Sequence, residues 1–136
     1  MIKNNISELL ELATIFRRAI IECDPKSLSI SLQNFPYGSC GDSTLLLAKY
    51  LENNECGYFQ YVLGYRDCDS HAWLQQSDII IDITANQFND QNIPVIVTRD
   101  HSWHSCFYGE IKHIADFEKY DKVTSLILQN DYEHII

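Results

Sequence analysis

Basic residues are scarce in this chain of 136: ten Lys and Arg stand against nineteen Asp and Glu, a net charge of −9. A surface of that sign repels phosphate backbones, which argues against non-specific DNA or RNA binding and leaves a basic protein as the charged partner it would suit. Proline (3) and glycine (5) are also few, and no Pro/Gly/Ser-rich linker, internal repeat or low-complexity tract divides the chain. Long apolar runs are missing: nothing approaches the roughly 18–20 consecutive apolar residues a membrane-crossing helix needs. The opening stretch MIKNNISELLELATIFRRAIIECD is broken by Glu8, Glu11, Arg17 and Arg18 and has neither the apolar core nor the cleavage site of a signal peptide. The cysteines are five, an odd number without a Cys-x2-Cys pair, which excludes a complete disulfide framework. Free thiols in a reducing cytoplasm are the expectation, and delivery by a dedicated secretion machine is compatible with it.

What is present suits one globular domain spanning residues 1–136. Apolar residues make up 46% and charged residues 21%, enough for a self-sufficient core. Ile6, Leu9, Leu10, Ala13, Phe16, Ala19 and Ile20 recur at helical spacing, predicting a helix from Ile6 to about Cys23. Asn5 is the expected N-cap with Glu8 as its capping-box partner, and Asp24-Pro25 is the stop. A loop over 26–39 leads to a second helix from about Cys40 to Asn54, closed at Gly57. Short runs rich in Val, Ile, Tyr and Trp follow over 58–65, 71–75, 78–83 and 93–98 and predict strands. The last third predicts a helix over 111–122 and a final strand over 123–129. Helices followed by an antiparallel meander predict an α+β domain, N-terminal helices packed on an antiparallel sheet.

Chemistry concentrates at Phe35-Pro36-Tyr37-Gly38-Ser39-Cys40-Gly41-Asp42. Cys40 opens a helix between two glycines, where unpaired N–H groups favour a thiolate and the Gly41 amide can donate to an oxyanion. A thiolate nucleophile needs a base, and the base needs a group to orient it. If Gln76-Ser77 is a two-residue hairpin turn, His71 falls directly across from Asp82, within reach of a carboxylate–imidazole hydrogen bond. Asp42, in the first turn of its helix, reads as a helix-stabilising charge.

In that order the residues resemble the transglutaminase-like and papain-like cysteine enzymes. Gly38-Ser39-Cys40, His71-Ala72-Trp73 and Asp82-Ile83-Thr84 are similar to the Gly-x-Cys, His-x-Trp and Asp-x-Thr motifs of that superfamily, over residues 35–90 or so. The resemblance implies a papain-like/transglutaminase-like core, with Cys40 as nucleophile, His71 as general base and acid, and Asp82 as the orienting carboxylate. It also points to Asn34, at the place of a side-chain oxyanion donor, with Gln33 beside it. The implied activity is a peptidase, amidase, deamidase or acyltransferase acting on a peptide, protein or small amide, with no cofactor. Gln75 stands where the superfamily often has an acid, and neither a calcium-site signature nor a propeptide is recognisable.

His101-Ser102-Trp103-His104-Ser105-Cys106 has the form of a metal half-site, but no second ligand pair is present, and no metal is expected. The same stretch suits the rim of the cleft, with Trp103 facing substrate beside Trp73. Asn86-Gln87-Phe88 reads as a polar loop tied by its amides. Cys23 and Cys56 sit at helix ends on inner faces, and the acidic neighbours of Cys68 make it a poor nucleophile. Tyr58, Phe59, Tyr61 and Tyr65 read as sheet packing. A different class of function fits the same composition: an acidic binding protein with a silent triad that neutralises a basic partner, as a toxin-neutralising immunity protein does.

Overall fold

The computed structural model describes residues 4–136, with the backbone alone at 111 and 112. Among these residues, three α-helices pack on one five-stranded antiparallel sheet, so the α+β class holds. The first helix, α1 (Ile6–Glu22), starts at Asn5, whose side chain accepts from the Ser7 N–H rather than pairing with Glu8. Leu9, Ala13, Phe16 and Ile20, spaced as one helical stripe, are at most 3% exposed. Two 3-10 turns, Pro25–Ser27 and Ile30–Leu32, carry the chain to α2 (Cys40–Asn53). The left-handed residue that ends α2 is Glu55 (φ 64°), and Gly57 (φ 80°) turns the chain into the sheet.

Four strands, β1 (Gln60–Arg66), β2 (Asp69–Gln76), β3 (Ile79–Asp82) and β4 (Ile96–Thr98), form the meander. A fifth strand, β5 (Tyr108–Ile114), pairs with β1 and gives the order β4-β3-β2-β1-β5. Residues 111–114 thus lie in an edge strand, not the predicted helix; β1 needs a second partner, and Gly64 facing Gly109 lets the two backbones approach. The expected strand over 123–129 is instead the start of the last helix, α3 (Lys122–Ile135), capped by the Asp121 side chain. Its buried residues are Leu128, Asp131, Tyr132 and Ile135, at helical spacing, while Val123, Leu126 and Ile127 face outward. Buried Asp131 accepts from the Ser29 N–H (2.8 Å) and hydroxyl (2.7 Å), fastening α3 to the loop before α2.

The sheet has two covered faces. Phe16, Leu46, Leu47, Leu51, Phe59, Leu74 and Ile81 form the main core beneath the helices. On the opposite face Val62, Trp73, Ile80 and Phe107 are buried under the long β3–β5 connection, with Phe88 and Trp103 against them. Gly64 makes this second layer possible. A Cβ there would stand 2.7 Å from Phe107 Cβ and 3.0 Å from the Trp73 ring, closer than real contacts allow. No helix in the described residues is long and apolar enough to cross a membrane.

Candidate active site

The β2–β3 turn sits one residue later than the sequence suggests, at Ser77-Asp78, with Ser77 at φ 53°. Gln76 faces Ile79, Gln75 faces Ile80 and Leu74 faces Ile81, so each partner moves two residues from the expected pairing. A shift of two preserves the faces of both strands. Continuing the register sets Trp73 opposite Asp82, with His71 on the diagonal of the same face. The imidazole bridges that diagonal: His71 Nε2–H donates to Asp82 Oδ2 at 2.6 Å.

The structured pairing of β3 with β2 stops at Leu74, and the N-terminus of α2 takes its place beyond that point. Thr44 Oγ1 donates to the Ala72 carbonyl at 3.4 Å, and the His71 ring and the Ala72 backbone lie near enough to the Cys40 thiol to lower its pKa. Nε2 of His71 is committed to Asp82, which leaves Nδ1 on the side of Cys40 and of the Gln87 amide, 3.4 Å away. The helix end itself is open. Ser39, the N-cap, makes no capping hydrogen bond and donates its hydroxyl to Pro36 O (3.0 Å) instead. The Cys40 and Gly41 N–H groups, among the first in the helix, have no intrahelical acceptor by geometry. Asp42 accepts a hydrogen bond from the Ser31 hydroxyl, which ties the incoming loop to this first turn.

Burial and charge set the protonation states. His71 is wholly buried; burial pulls its pKa down, but the Asp82 charge and hydrogen bond, with Cys40 adding to them, push it up to about 9. Burial raises the half-buried Cys40 thiol, yet the hydrogen bond and charge of His71 and the Ala72 backbone outweigh it, and the net shift is downward. Burial would also raise Asp82, and the two histidines reverse this and hold its carboxyl well below the usual carboxylate range. An imidazolium beside a thiolate is the state these directions favour.

Asp82 has a second histidine that sequence reasoning missed. His104 Nε2–H donates to the same Oδ2 at 2.7 Å, while Asp82 Oδ1 accepts from the Thr84 N–H at 3.0 Å. Arg17 was missed too. Its buried guanidinium donates to the carbonyls of Ile83 and Pro94 and to Asn86 Oδ1, clamping the segment that follows Asp82. Burial lowers its pKa and the Asp82 charge opposes that. Arg17 has no motif around it, and His104 was visible only as half of a His-x2-His spacing.

The remaining candidates divide. Gly41 is at the helix opening beside Cys40. Trp73 is buried 5.7 Å from the His71 ring, its indole N–H without a partner among the described residues. Trp103 packs edge-on to His71 (5.9 Å) and donates its indole N–H to Asp90 Oδ2 at 3.1 Å, so it walls in the base rather than standing free at a rim. Arg66 pairs with Asp90 (2.7 Å) and lies over the Phe88, Trp103 and Phe107 rings, holding this aromatic lid together. Gln33 uses its amide on Leu28 O (3.0 Å), and the exposed Asn34 side chain makes no hydrogen bond among the described residues. Neither is tied to Cys40 by a hydrogen bond among the described residues.

His101 and His104 do not converge: His101 Nε2–H donates to Asp78 O at 2.6 Å, and Cys106 is exposed. Instead His71, Asp82 and His104 place donor atoms within 4.8 Å of one another, the group among the described residues able to hold a metal. The contacts of 2.6 and 2.7 Å are lengths of N–H···O hydrogen bonds. A tetrahedral ion with bonds of ~2.0–2.1 Å would spread its ligand atoms to about 3.3 Å. As it stands the cluster is a hydrogen-bonded carboxylate.

No protein-family model matches the chain, and neither does any curated protein or solved structure.

Proposed function

We propose that this protein is a thiol enzyme with a papain-like core that attacks amide or thioester carbonyls of a peptide, protein or small amide through Cys40, His71 and Asp82. The observation that carries the reading is a wholly buried imidazole bonded to a buried carboxylate and acting on the thiol of the cysteine that opens α2. Each part has a task. The Cys40 thiolate adds to the carbonyl carbon while the Cys40 and Gly41 amides receive the oxyanion. His71, already protonated, gives its Nδ1 proton to the leaving amine or thiolate. The imidazole then takes a proton from water as water attacks the thioester, releasing the acid and restoring the thiolate–imidazolium pair. Hydrolysis is the proposed outcome because the acyl-enzyme needs only water to complete the cycle.

The test is the rate of iodoacetamide labelling at each cysteine against pH, resolved by mass spectrometry in the wild type and in His71→Ala. Cys40 is expected to label with an apparent pKa below the ordinary ~8.5, and the histidine change to move that midpoint upward. Labelling of Cys40 that is as slow as the exposed Cys68, and indifferent to His71, would overturn the proposal and favour a binding protein for a basic partner.

A further inference from the structure

Neither Gln33 nor Asn34 hydrogen-bonds Cys40 among the described residues, and Gln33 gives its amide to Leu28 O. Another donor lies beside the first turn of α2. Tyr61, in β1, is half-buried and places its hydroxyl at the first turn of α2, 3.3 Å from where a Cβ on Gly41 would stand. Only a glycine at 41 leaves this space without displacing the phenol. The ring is held in position by stacking on His113 at 5.2 Å, and His113 is in turn fixed by the Tyr120 hydroxyl at 2.7 Å. The Tyr61 hydroxyl has no hydrogen-bond partner among the described residues, although its neighbours Asp42 and His113 both have one.

Resting on the reading of Cys40 as a nucleophile, we propose that Tyr61 is a further catalytic residue: its phenol O–H donates to the oxyanion formed at Cys40, completing a hole whose other donors are the Cys40 and Gly41 amides. A donor aimed in advance at developing charge, in a site partly shielded from water, stabilises the transition state more than the ground state. Burial first, then the negative charges of Cys40 and its surroundings, push the phenol up to about 12, so the hydroxyl keeps its proton throughout the neutral range.

Two reagents that attack the same sulfur separate this role from any other. With p-nitrophenyl acetate the Cys40 sulfur bonds to the acyl carbon and the carbonyl π pair moves onto oxygen. That pair returns as the bond to p-nitrophenolate breaks, so an oxyanion must form. With iodoacetamide the sulfur displaces iodide at a saturated carbon, and no oxyanion exists. In Tyr61→Phe, acylation of Cys40 is expected to fall at least roughly tenfold, toward the ~10²–10³ typical of losing one such donor, with iodoacetamide labelling retained. Retained labelling also shows that the variant is folded and its thiolate intact. Wild-type acylation rates in Tyr61→Phe would overturn the role of Tyr61 alone, and so would an equal fall with both reagents. A wild-type Cys40 that neither reagent modifies selectively would overturn the thiol-enzyme reading and this inference with it.

Discussion

Replacing Asp82 by Asn tests the electrostatic core of the site with almost no change in shape. Asn keeps an oxygen for the Thr84 N–H, so its amide nitrogen falls where Oδ2 now accepts from both histidines. Donor would then face donor. Relief requires His71 to present a bare Nε2 and carry its proton on Nδ1, the atom turned toward Cys40, where it can no longer take the thiol proton. The charge effect acts in the same direction. The rise of His71 from 6.5 to about 9 amounts to roughly 3 kcal/mol at ~1.36 kcal/mol per pH unit. This is a ceiling for Asp82, since Cys40 supplies part of it. At pH 7 the wild-type ring is imidazolium by roughly a hundred to one. Without the carboxylate, burial is opposed by Cys40 alone and the ring's pKa falls, so the cation that holds the thiolate is weakened. NMR titration of the His71 ring should show that fall, and iodoacetamide labelling of Cys40 at pH 6.5 should drop roughly tenfold or more. His104→Ala is the control: it removes the second donor but leaves the His71–Asp82 bond, so Cys40 should keep its low-pH labelling. A folded Asp82→Asn protein that labels Cys40 at the wild-type rate would refute the argument.

Two further outcomes follow from packing and linkage. Gly64→Ala places a methyl 2.7 Å from Phe107 Cβ and should cost about 1–3 kcal/mol in urea unfolding, with loss of near-ultraviolet signal from Trp73; a change within error would mean the aromatic layer is loosely seated. In Cys40→Ala the Asp82 charge and hydrogen bond still hold His71 above its unfolded 6.5, so its contribution to stability is complete below that pH and is lost as pH rises through the raised folded pKa. In the wild type the proton that His71 gains comes from the thiol, which flattens the slope; urea midpoints measured from pH 6 to 9.5 should therefore fall more steeply in Cys40→Ala, and parallel curves would contradict the ion pair.

The helical elements that carry local periodicity were legible from residues alone. Leu9, Ala13, Phe16 and Ile20 define α1, and the glycine-flanked Cys40 marks the start of α2. The C-terminal third was not, because its pattern is decided elsewhere in the fold. The Val123–Leu128 run reads as a strand until α1 and the Ser29 loop choose which of its residues to bury. The stretch after Phe107 becomes a strand because β1 has an open edge and Gly64 and Gly109 allow close approach. The pairing of His71 with Asp82 survived a turn placed one residue too early because the resulting shift of two keeps both on one face. A turn error that moved the pairing by one residue would have sent them to opposite sides.

By itself, then, the amino-acid order determined the residues that make contact through one turn or one hairpin: the cysteine at its helix start, the His-x-Trp strand, and the aspartate that ends the next. Local backbone geometry sets such distances, so they can be counted along the chain. Tertiary structure alone decided the partners at long separation. It brought His104 onto Asp82 from 22 residues away and Arg17 onto Ile83 from 66. It also laid the Tyr61 hydroxyl against Gly41. No spacing encodes those contacts, because they arise where separate elements pack, and packing answers to the shape and burial of the whole core.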